Sequence, residues 1–285
     1  MPPVCYSLSW CAYCDVIGAK SARIRPGGEH RTEPLLRWLP LVTRRHFRDD
    51  DSTGLGPINT LSWVLAMQID FKQLSARDRY KLVVASVVPR PIALVSTVDL
   101  AGTPNVAPYS FFNALCDDPL ILAVGINGIK VGSEKDTAQN IQDTGEFVVN
   151  LVSEDIAQAM NLSAVSFPPE IDEFEVAGFT HGAGVKVRVP HVVESPISFE
   201  CREVSTVNLG EGKNIVLGEV LLMHVRDDLV DVDKLYINTP AARLIGRMHG
   251  AGWYARTTDL FEMPRVADDK ASDLIRKLQE SKANR

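Results

Sequence analysis

The chain has 285 residues, of which 45% are hydrophobic and 23% are charged. This length and hydrophobic content allow a substantial core that needs no metal ion or disulfide for its stability. The formal net charge of −6 provides no basic surface for nucleic acid or for an anionic membrane. Since the sequence also lacks a run of about 18 apolar residues, we expect neither nucleic acid nor a membrane among its partners.

The cysteine pattern favours a reduced, intracellular protein. The sequence has 5 cysteines, an odd number, which is not typical of a disulfide framework. Cys11 and Cys14 follow Trp10 with the C-x-x-C spacing of a thioredoxin-type redox pair. Such a pair requires a buried strand before it, and only a few residues precede this one. Chance occurrence in an unstructured leader is therefore the favoured interpretation.

Residues 1–66 lack a sustained hydrophobic period and are rich in arginine up to Asp49. We interpret them as a disordered extension, or as the product of an upstream start codon before a natural start at Met67. An organellar transit peptide is the alternative, because such peptides are rich in arginine and poor in acidic residues. The expected location is the cytoplasm, with mitochondrial import as the alternative.

From Gln68 onward the sequence shows helix and strand patterns that residues 1–66 lack. Ser75 and Asp78 have the spacing of a capping box, which predicts a short helix that ends before Pro89. Strand-like runs follow at residues 92–98, 106–112, 120–126, 147–152, 197–207 and 215–225. Glycine-containing turns at residues 99–102 and 210–214 predict hairpins between neighbouring runs.

Three further helices are predicted among and after the strands. One begins at Ser133, which forms a second capping box with Asp136, and ends at Gly145. Another begins near Ser153, and a peripheral helix covers residues 268–282. Many strands with few helices predict a mainly β, antiparallel barrel with inserted helices. The expected domains are a barrel over residues 67–265 and a helical tail over 266–285.

Several common catalytic motifs are absent from the sequence. It has no G-x-G-x-x-G after a strand and no G-x-S-x-G nucleophile elbow. The 6 histidines are scattered without metal-ligand spacing. We therefore predict no metal site and assign no catalytic side chain.

Residues 133–137 form the first candidate binding segment. A helix N-terminus presents free N–H groups and the positive end of the helix dipole, which suits a phosphate group. Lys135 can add a positive charge and Thr137 a hydroxyl donor. The alternative is ordinary helix capping beside a solvated lysine.

Residues 105–113 form the second candidate segment. This aromatic-rich run carries Asn105, Ser110 and Asn113 at irregular intervals, which is unusual for a strand that serves only the core. It would suit a wall that stacks an aromatic heterocycle and donates hydrogen bonds to its edge. The alternative is a core strand with turn-forming asparagines at both ends.

Five segments in order resemble the flavin reductase-like family of FMN-binding split-barrel proteins. They are residues 86–97, 105–113, Lys135 to Thr137 with Asn140, 145–150, and 246–247 followed by 253–256. The resemblance implies an antiparallel, Greek-key-like split β-barrel that forms a homodimer. It also implies FMN bound non-covalently near the dimer interface.

The resemblance further implies which residues bind the cofactor. For the flavin these are Ser96, Thr97, Ala107, Pro108, Tyr109 and Ser110. For the phosphate they are Ser133, Lys135 and Thr137, in agreement with the helix-end argument. Arg90 is expected to approach the cofactor, and His249 and Tyr254 to border the flavin face.

The expected activity is that of an oxidoreductase in which NADH or NADPH reduces bound FMN. The isoalloxazine itself accepts the hydride, so the chemistry asks little of protein acids and bases. One alternative is an FMN electron carrier of the flavoredoxin type without NAD(P)H turnover. Another is an FMN-dependent oxygenase or oxidase of a small organic substrate, and a third is a dimeric binding module without flavin. An oxygenase or another electron acceptor is the expected protein partner.

Overall fold

A computed structural model describes residues 42–44, 67–128, 135–165, 167, 171–250 and 252–283. The chain divides into two compact units, Met1–Leu74 and Ser75–Arg285. The Cys11–Cys14 pair and the predicted disorder of residues 1–66 lie outside the described residues, apart from residues 42–44. The domain boundaries after residues 66 and 265 remain predictions.

The β-strands are numbered in chain order. They are β1 (Val42–Arg44), β2 (Met67–Ile69), β3 (Arg90–Pro91), β4 (Ala93–Val98), β5 (Pro104–Tyr109), β6 (Phe112–Asp117), β7 (Leu120–Asn127), β8 (Glu146–Leu151), β9 (His181–Gly182), β10 (His191–Val192), β11 (Ile197–Asn208), β12 (Lys213–Val225), β13 (Val230–Asp231), β14 (Tyr236–Ile237), β15 (Ile245–Arg247) and β16 (Tyr254–Arg256). In the first unit, β1 pairs antiparallel with β2, with Val42 opposite Ile69.

The α-helices all lie in the second unit as far as the structure describes the chain. They are α1 (Ala76–Ser86), α2 (Asp136–Thr144), α3 (Ala157–Leu162), α4 (Glu173–Ala177), α5 (Thr239–Ala242) and α6 (Asp268–Ala283). Single 3₁₀ turns cover Phe71–Gln73, Glu154–Ile156 and Asp227–Leu229. No helix among the described residues is both long enough and apolar enough to cross a bilayer.

The central element of the second unit is an antiparallel seven-stranded sheet in the order β5-β4-β8-β11-β12-β7-β6. A flat sheet of this order would hold its edge strands about 29 Å apart, at roughly 4.8 Å per strand. However, β5 ends at Tyr109 and β6 begins at Phe112, and two linking residues span at most about 11 Å. The sheet must therefore curl until its edges meet. Since these edges form no ladder with each other in the described residues, the result is a split β-barrel.

One predicted strand is wrong because of this curl. The sequence predicts a single strand over residues 106–112, whereas the structure ends β5 at Tyr109 and begins β6 at Phe112. Ser110 and Phe111 form the corner at which the chain passes from one sheet edge to the other. The residue types of this run do not reveal such a corner, because the corner depends on where the two edges meet.

The barrel core combines the inner face of the sheet with one side of α2. Leu122, Val124 and Ile126 alternate along β7 and are all buried, as the period-2 pattern predicts. Ala138 and Ile141 of α2 belong to the same core cluster. Packing against the sheet thus holds the start of α2 beside the barrel.

Two predicted helix boundaries have different outcomes. The Ser75 hydroxyl accepts a hydrogen bond from the Asp78 backbone N–H at 3.1 Å, which confirms the first capping box. For α2, however, the N-cap is Lys135, whose backbone is extended with φ −81° and ψ 142°. The predicted start at Ser133 is therefore wrong, because helical geometry begins only at Asp136. Gly145 ends α2 in the left-handed conformation, φ 70°, as predicted.

The sequence does not predict the short helix α4. The Asp172 carboxylate accepts a hydrogen bond from the Phe174 backbone N–H at 2.8 Å and caps this helix. Phe174 is fully buried in a second core cluster that also contains Val106 of β5. This anchor places Glu173, the first residue of α4, against β5.

An ion-pair cluster attaches the C-terminal segment to the barrel. The Glu154 carboxylate accepts hydrogen bonds from Arg243 and from Arg256. Both arginines lower the pKa of Glu154, to about 2, and Arg256 has the larger effect. The cluster holds β16 next to β15, which in turn pairs with β3.

Candidate functional site

A cavity of about 540 Å³ opens where the barrel edges meet. Its lining comes from β5 and the corner after it, from β7, from the start of α2 and from residues near α1, α3 and α4. The described lining residues are Tyr80, Asn105, Ala107, Pro108, Tyr109, Ser110, Phe111, Gly125, Asn127, Lys135, Asp136, Thr137, Ser163, Ala164, Val165, Phe167 and Glu173. Both predicted binding segments thus border one cavity.

The β5 wall contains a buried tyrosine hydroxyl. Tyr109 lines the cavity and packs against the barrel core. Its hydroxyl has no hydrogen-bond partner within the part of the chain that the structure describes. Burial raises the pKa of Tyr109 far above its usual range, and the neighbouring Thr137 hydroxyl offsets this only partly. The phenol therefore stays neutral at physiological pH.

The start of α2 forms the opposite, polar side of the cavity. Lys135 occupies the N-cap but makes no side-chain capping bond, and it has no ion-pair partner among the described residues. The first N–H groups of any helix lack acceptors within the helix. This end of α2 therefore combines a lysine with amide groups that suit an anion.

A seam of buried polar side chains connects α2 to the sheet and to α4. Asn140 donates to Thr97 Oγ1 at 3.0 Å, and Thr137 Oγ1 donates to Asn105 Oδ1 at 3.0 Å. Asn105 in turn donates through Nδ2 to Glu173 Oε1 at 3.1 Å. The seam sets the position of the α2 N-terminus relative to the β5 wall.

Glu173 is a buried acid in this wall, with only 7% of its surface exposed. Burial raises its pKa above the ordinary glutamate value, and the carboxylates of Asp136 and Asp172 raise it further. The hydrogen bond from Asn105 acts in the opposite direction. Glu173 is thus a buried carboxyl group with a raised pKa at the edge of a ligand cavity.

Arg90 lies behind the cavity corner and forms hydrogen bonds with the segments around it. Its Nη1 donates to the carbonyls of Val84 and Val87 at 2.7 and 2.8 Å, and its Nη2 donates to the Met248 carbonyl at 2.7 Å. Its Nε lies 3.5 Å from Ser110 Oγ. A single guanidinium group therefore connects the end of α1, the cavity corner and the C-terminal segment.

The structure brings six of the twelve predicted site residues to the cavity. These are Ala107, Pro108, Tyr109, Ser110, Lys135 and Thr137. Ser133 lies outside the described residues.

Five predicted site residues do not line the cavity. Ser96 is fully buried and donates to the Pro190 carbonyl at 2.6 Å. Thr97 is fully buried in the polar seam, and Arg90 lies behind the corner. His249 contacts Trp253, with ring centroids 5.9 Å apart, and Tyr254 lies under the Arg247 guanidinium at 4.6 Å. Direct contact between these five side chains and a ligand stays a prediction.

Sequence reasoning missed several lining residues. Phe111 lies within a candidate segment, but nothing in that segment distinguished its role. Asn105 was identified as a polar residue of the wall, whereas its hydrogen bond to Glu173 was not predicted. Tyr80 lies on α1, where it contacts Phe111 with ring centroids 6.3 Å apart. Glu173 carries no local signal, because its importance follows from a contact with Asn105, 68 residues away. Metal-ligand geometry is not found in the described residues, where no group of three or more His, Cys, Asp or Glu side chains could hold an ion.

Known proteins are similar to this chain in sequence and in fold. Residues 85–242 match the family described as flavin reductase like domain. A protein of uncharacterized function from Deinococcus radiodurans is 45% identical over 202 residues, covering 69% of this chain and 88% of that protein.

Two solved structures are similar in both sequence and fold. The 2-nitrobenzoate 2-nitroreductase of Pseudomonas fluorescens is 33% identical with a TM-score of 0.65, over 70% of this chain and 97% of that one. Component B of nitrilotriacetate monooxygenase from Bacillus cereus is 32% identical with a TM-score of 0.66, over 70% of this chain and 98% of that one. The family match covers all seven strands of the curled sheet and both candidate segments of the cavity, and the chain therefore belongs to the flavin reductase-like domain family of split-barrel flavoproteins.

Proposed function

We propose that the chain binds FMN non-covalently in this cavity and is an oxidoreductase in which NADH or NADPH reduces that flavin. The observation that carries the proposal is the meeting of two surfaces in one cavity. Ala107 to Ser110 form a wall for a flat ring system, and Lys135 to Thr137 form an anion-binding helix end. FMN combines a flat heterocycle with a phosphate.

The cavity fits FMN in size and in chemistry. Its volume of about 540 Å³ lies within the usual range for ligand sites. The Lys135 ammonium and the first amides of α2 are the donors that a phosphate group requires. At the wall, the neutral Tyr109 hydroxyl is a polar group without a partner in the described residues. We therefore assign the phosphate to α2 and the ring to β5.

When bound, the isoalloxazine supplies the hydride acceptor. The residues of this chain then bind and orient. Lys135 would hold the charged end and the β5 wall would hold the ring, while Arg90 keeps the corner at Ser110 in place. Tyr80 and Phe111 provide an aromatic border on which a second flat molecule, the nicotinamide ring, can pack. No side chain has to transfer a proton for the hydride to move.

We also propose that the protein is a homodimer in the cytoplasm. Apolar side chains along the far half of the β11–β12 hairpin and on β6 are exposed in the isolated chain, and such surfaces commonly become buried in an interface. They belong to Val204, Val207, Leu209, Ile215 and Leu115. Ser133 remains a proposed phosphate contact, and His249 and Tyr254 remain proposed flavin neighbours.

The likeness to component B of nitrilotriacetate monooxygenase supports an oxygenase as the recipient of the reduced flavin. The likeness to a 2-nitrobenzoate 2-nitroreductase favours a second candidate, in which bound FMN reduces a small organic substrate directly. An electron carrier without NAD(P)H turnover is a further alternative.

Two measurements test the proposal. We expect the visible absorption bands of flavin to remain with the purified protein after FMN loading and gel filtration. We then expect NADH or NADPH oxidation above background in the presence of added FMN. A protein that cannot be loaded with FMN would refute the cofactor assignment. A loaded protein without NAD(P)H oxidation would refute the reductase and leave the carrier. Turnover that requires 2-nitrobenzoate, and not free FMN, would favour the second candidate.

A further inference from the structure

The charge of the cavity poses a problem for an anionic ligand. Among its described lining residues Lys135 is the only cationic side chain, whereas Asp136 and Glu173 are both acids. With both acids ionised the lining is net negative. A phosphate monoester carries a charge of about −1.5 to −2 near neutral pH. Repulsion from these two acids therefore opposes the attraction of a phosphate to Lys135 and to the α2 N-terminus, and binding is stronger when one acid is neutral.

Glu173 is the acid whose surroundings favour the neutral, protonated form. It is 7% exposed, and the fully buried Phe174 beside it holds its backbone in place. Its carboxyl group accepts one side-chain hydrogen bond, from Asn105, and no cation pairs with it in the part of the chain that the structure describes. Burial of an unpaired carboxylate favours its protonated form.

Asn105 can transmit the protonation of Glu173 to the helix end. Its Oδ1 accepts a hydrogen bond from the Thr137 hydroxyl, and its Nδ2 donates to the Glu173 carboxyl group. In this arrangement the Thr137 hydroxyl donates to Asn105 and is not available to a ligand. A protonated Glu173 can donate to Asn105 Oδ1 if the amide turns over, and Nδ2 then donates to Thr137 Oγ1. The Thr137 hydroxyl is thereby released to donate to an anion at the start of α2. An asparagine amide permits both orientations because each end can make hydrogen bonds.

We propose that Glu173 takes up one proton from solvent when the phosphate of FMN binds, and thereby determines how cofactor affinity depends on pH. The inference rests on the proposed FMN site and assigns a charge-compensating role to a residue of that site. The proton removes the carboxylate charge and, through Asn105, provides the Thr137 hydroxyl for the phosphate.

Other charged and titratable groups lie around Glu173, but the proposed proton uptake is assigned to Glu173 itself. They are Lys135 and Asp136 on α2, Tyr109 on β5, Asp172 next to Glu173, His181, which lies 3.4 Å from Asp172, and Asp99, which shares a small cavity of about 70 Å³ with Glu173. Helix α3 contributes no titratable side chain. Because the proton favours binding, FMN affinity falls as pH rises through the pKa of Glu173 in the free protein. One proton changes the affinity by at most about tenfold per pH unit.

The test compares wild type with Glu173→Gln, whose amide is neutral and can donate to Asn105. Glu175→Gln, on the exposed side of the same helix, is the matched control. FMN and riboflavin, which lacks the phosphate, are titrated from pH 5.5 to 8.5 by quenching of flavin fluorescence. Calorimetry at the upper end of this range, in two buffers of different ionisation enthalpy, measures the protons taken up per ligand.

For wild type and Glu175→Gln we expect proton uptake with FMN and none with riboflavin. For Glu173→Gln we expect no uptake, and FMN binding tighter than in wild type by about tenfold at the highest pH. Equal uptake by FMN and riboflavin in wild type would overturn the proposal without any variant. The same pH profile in wild type and Glu173→Gln would also overturn it while leaving FMN binding intact. Absence of FMN binding at every pH would instead refute the proposed function.

Discussion

Replacement of Lys135 by alanine tests the assignment of the phosphate site most directly. Lys135 lines the cavity and occupies the N-cap of α2 without a side-chain capping bond. Its loss should therefore cost the helix little, and the predicted effect is on the ligand. A hydrogen bond to a charged group contributes about 1.5–3 kcal/mol, which corresponds to roughly a 10- to 150-fold weaker affinity for FMN.

Adding Thr137→Ala should bring the combined loss only to about 2–4 kcal/mol. The increment is small because the Thr137 hydroxyl already donates to Asn105 Oδ1 at 3.0 Å in the absence of a ligand. Part of the gain from a phosphate bond is therefore offset, because the Asn105 amide has to turn over before this hydroxyl can donate to the phosphate.

The assay is a fluorescence titration with FMN and with riboflavin. Lys234→Ala is the control, because Lys234 is an exposed lysine that pairs with Asp231 away from the cavity lining. We expect Lys135→Ala to weaken FMN and to leave riboflavin unchanged. An FMN dissociation constant within twofold of wild type, or an equal loss for both ligands, would refute the phosphate assignment.

Three further predictions concern stability and the chain ends. A methyl group at Gly218 would overlap the ring of Phe147, which is fully buried. Gly218→Ala should therefore destabilise the fold by about 1–3 kcal/mol in urea titrations, whereas Gly250→Ala, with open space around it, should be neutral. The pKa of Glu154 is lowered to about 2 in the folded protein, so its stabilising effect is complete above the ordinary glutamate pKa and is lost as pH falls toward 2. Wild type should thus lose more thermal stability across this window than Glu154→Gln, and parallel pH profiles would contradict the ion-pair assignment. Deletion of residues 1–66 should leave solubility and flavin content intact, since the second compact unit begins after this segment; insoluble protein would show that the segment is structural.

Sequence alone was sufficient for most secondary structure, because the relevant signals are local. The Ser75 cap, the strand that begins at Glu146, the hairpin at residues 210–214 and the helix that begins at Asp268 all depend on neighbouring residues. The family resemblance then located two halves of one candidate site, on β5 and at the start of α2.

Tertiary structure decided what each site residue faces. The all-buried strand β4 directs Ser96 to the Pro190 carbonyl and Thr97 to Asn140, so neither side chain reaches the cavity lining. Arg90 is a clamp because the Met248 carbonyl, 158 residues away, accepts from it. Such partners are invisible to local patterns, since they depend on how the sheet curls.

The corner after β5 and the acid on α4 illustrate the same limit. Ser110 and Phe111 leave the strand because the two sheet edges meet there, and their residue types alone do not mark the corner. Glu173 belongs to a five-residue helix without a hydrophobic period, and only burial of Phe174 brings it to Asn105. The sequence determined the elements and the residue types of the site, whereas the curl of the barrel determined which of them share a cavity, because only packing brings residues distant in the chain together.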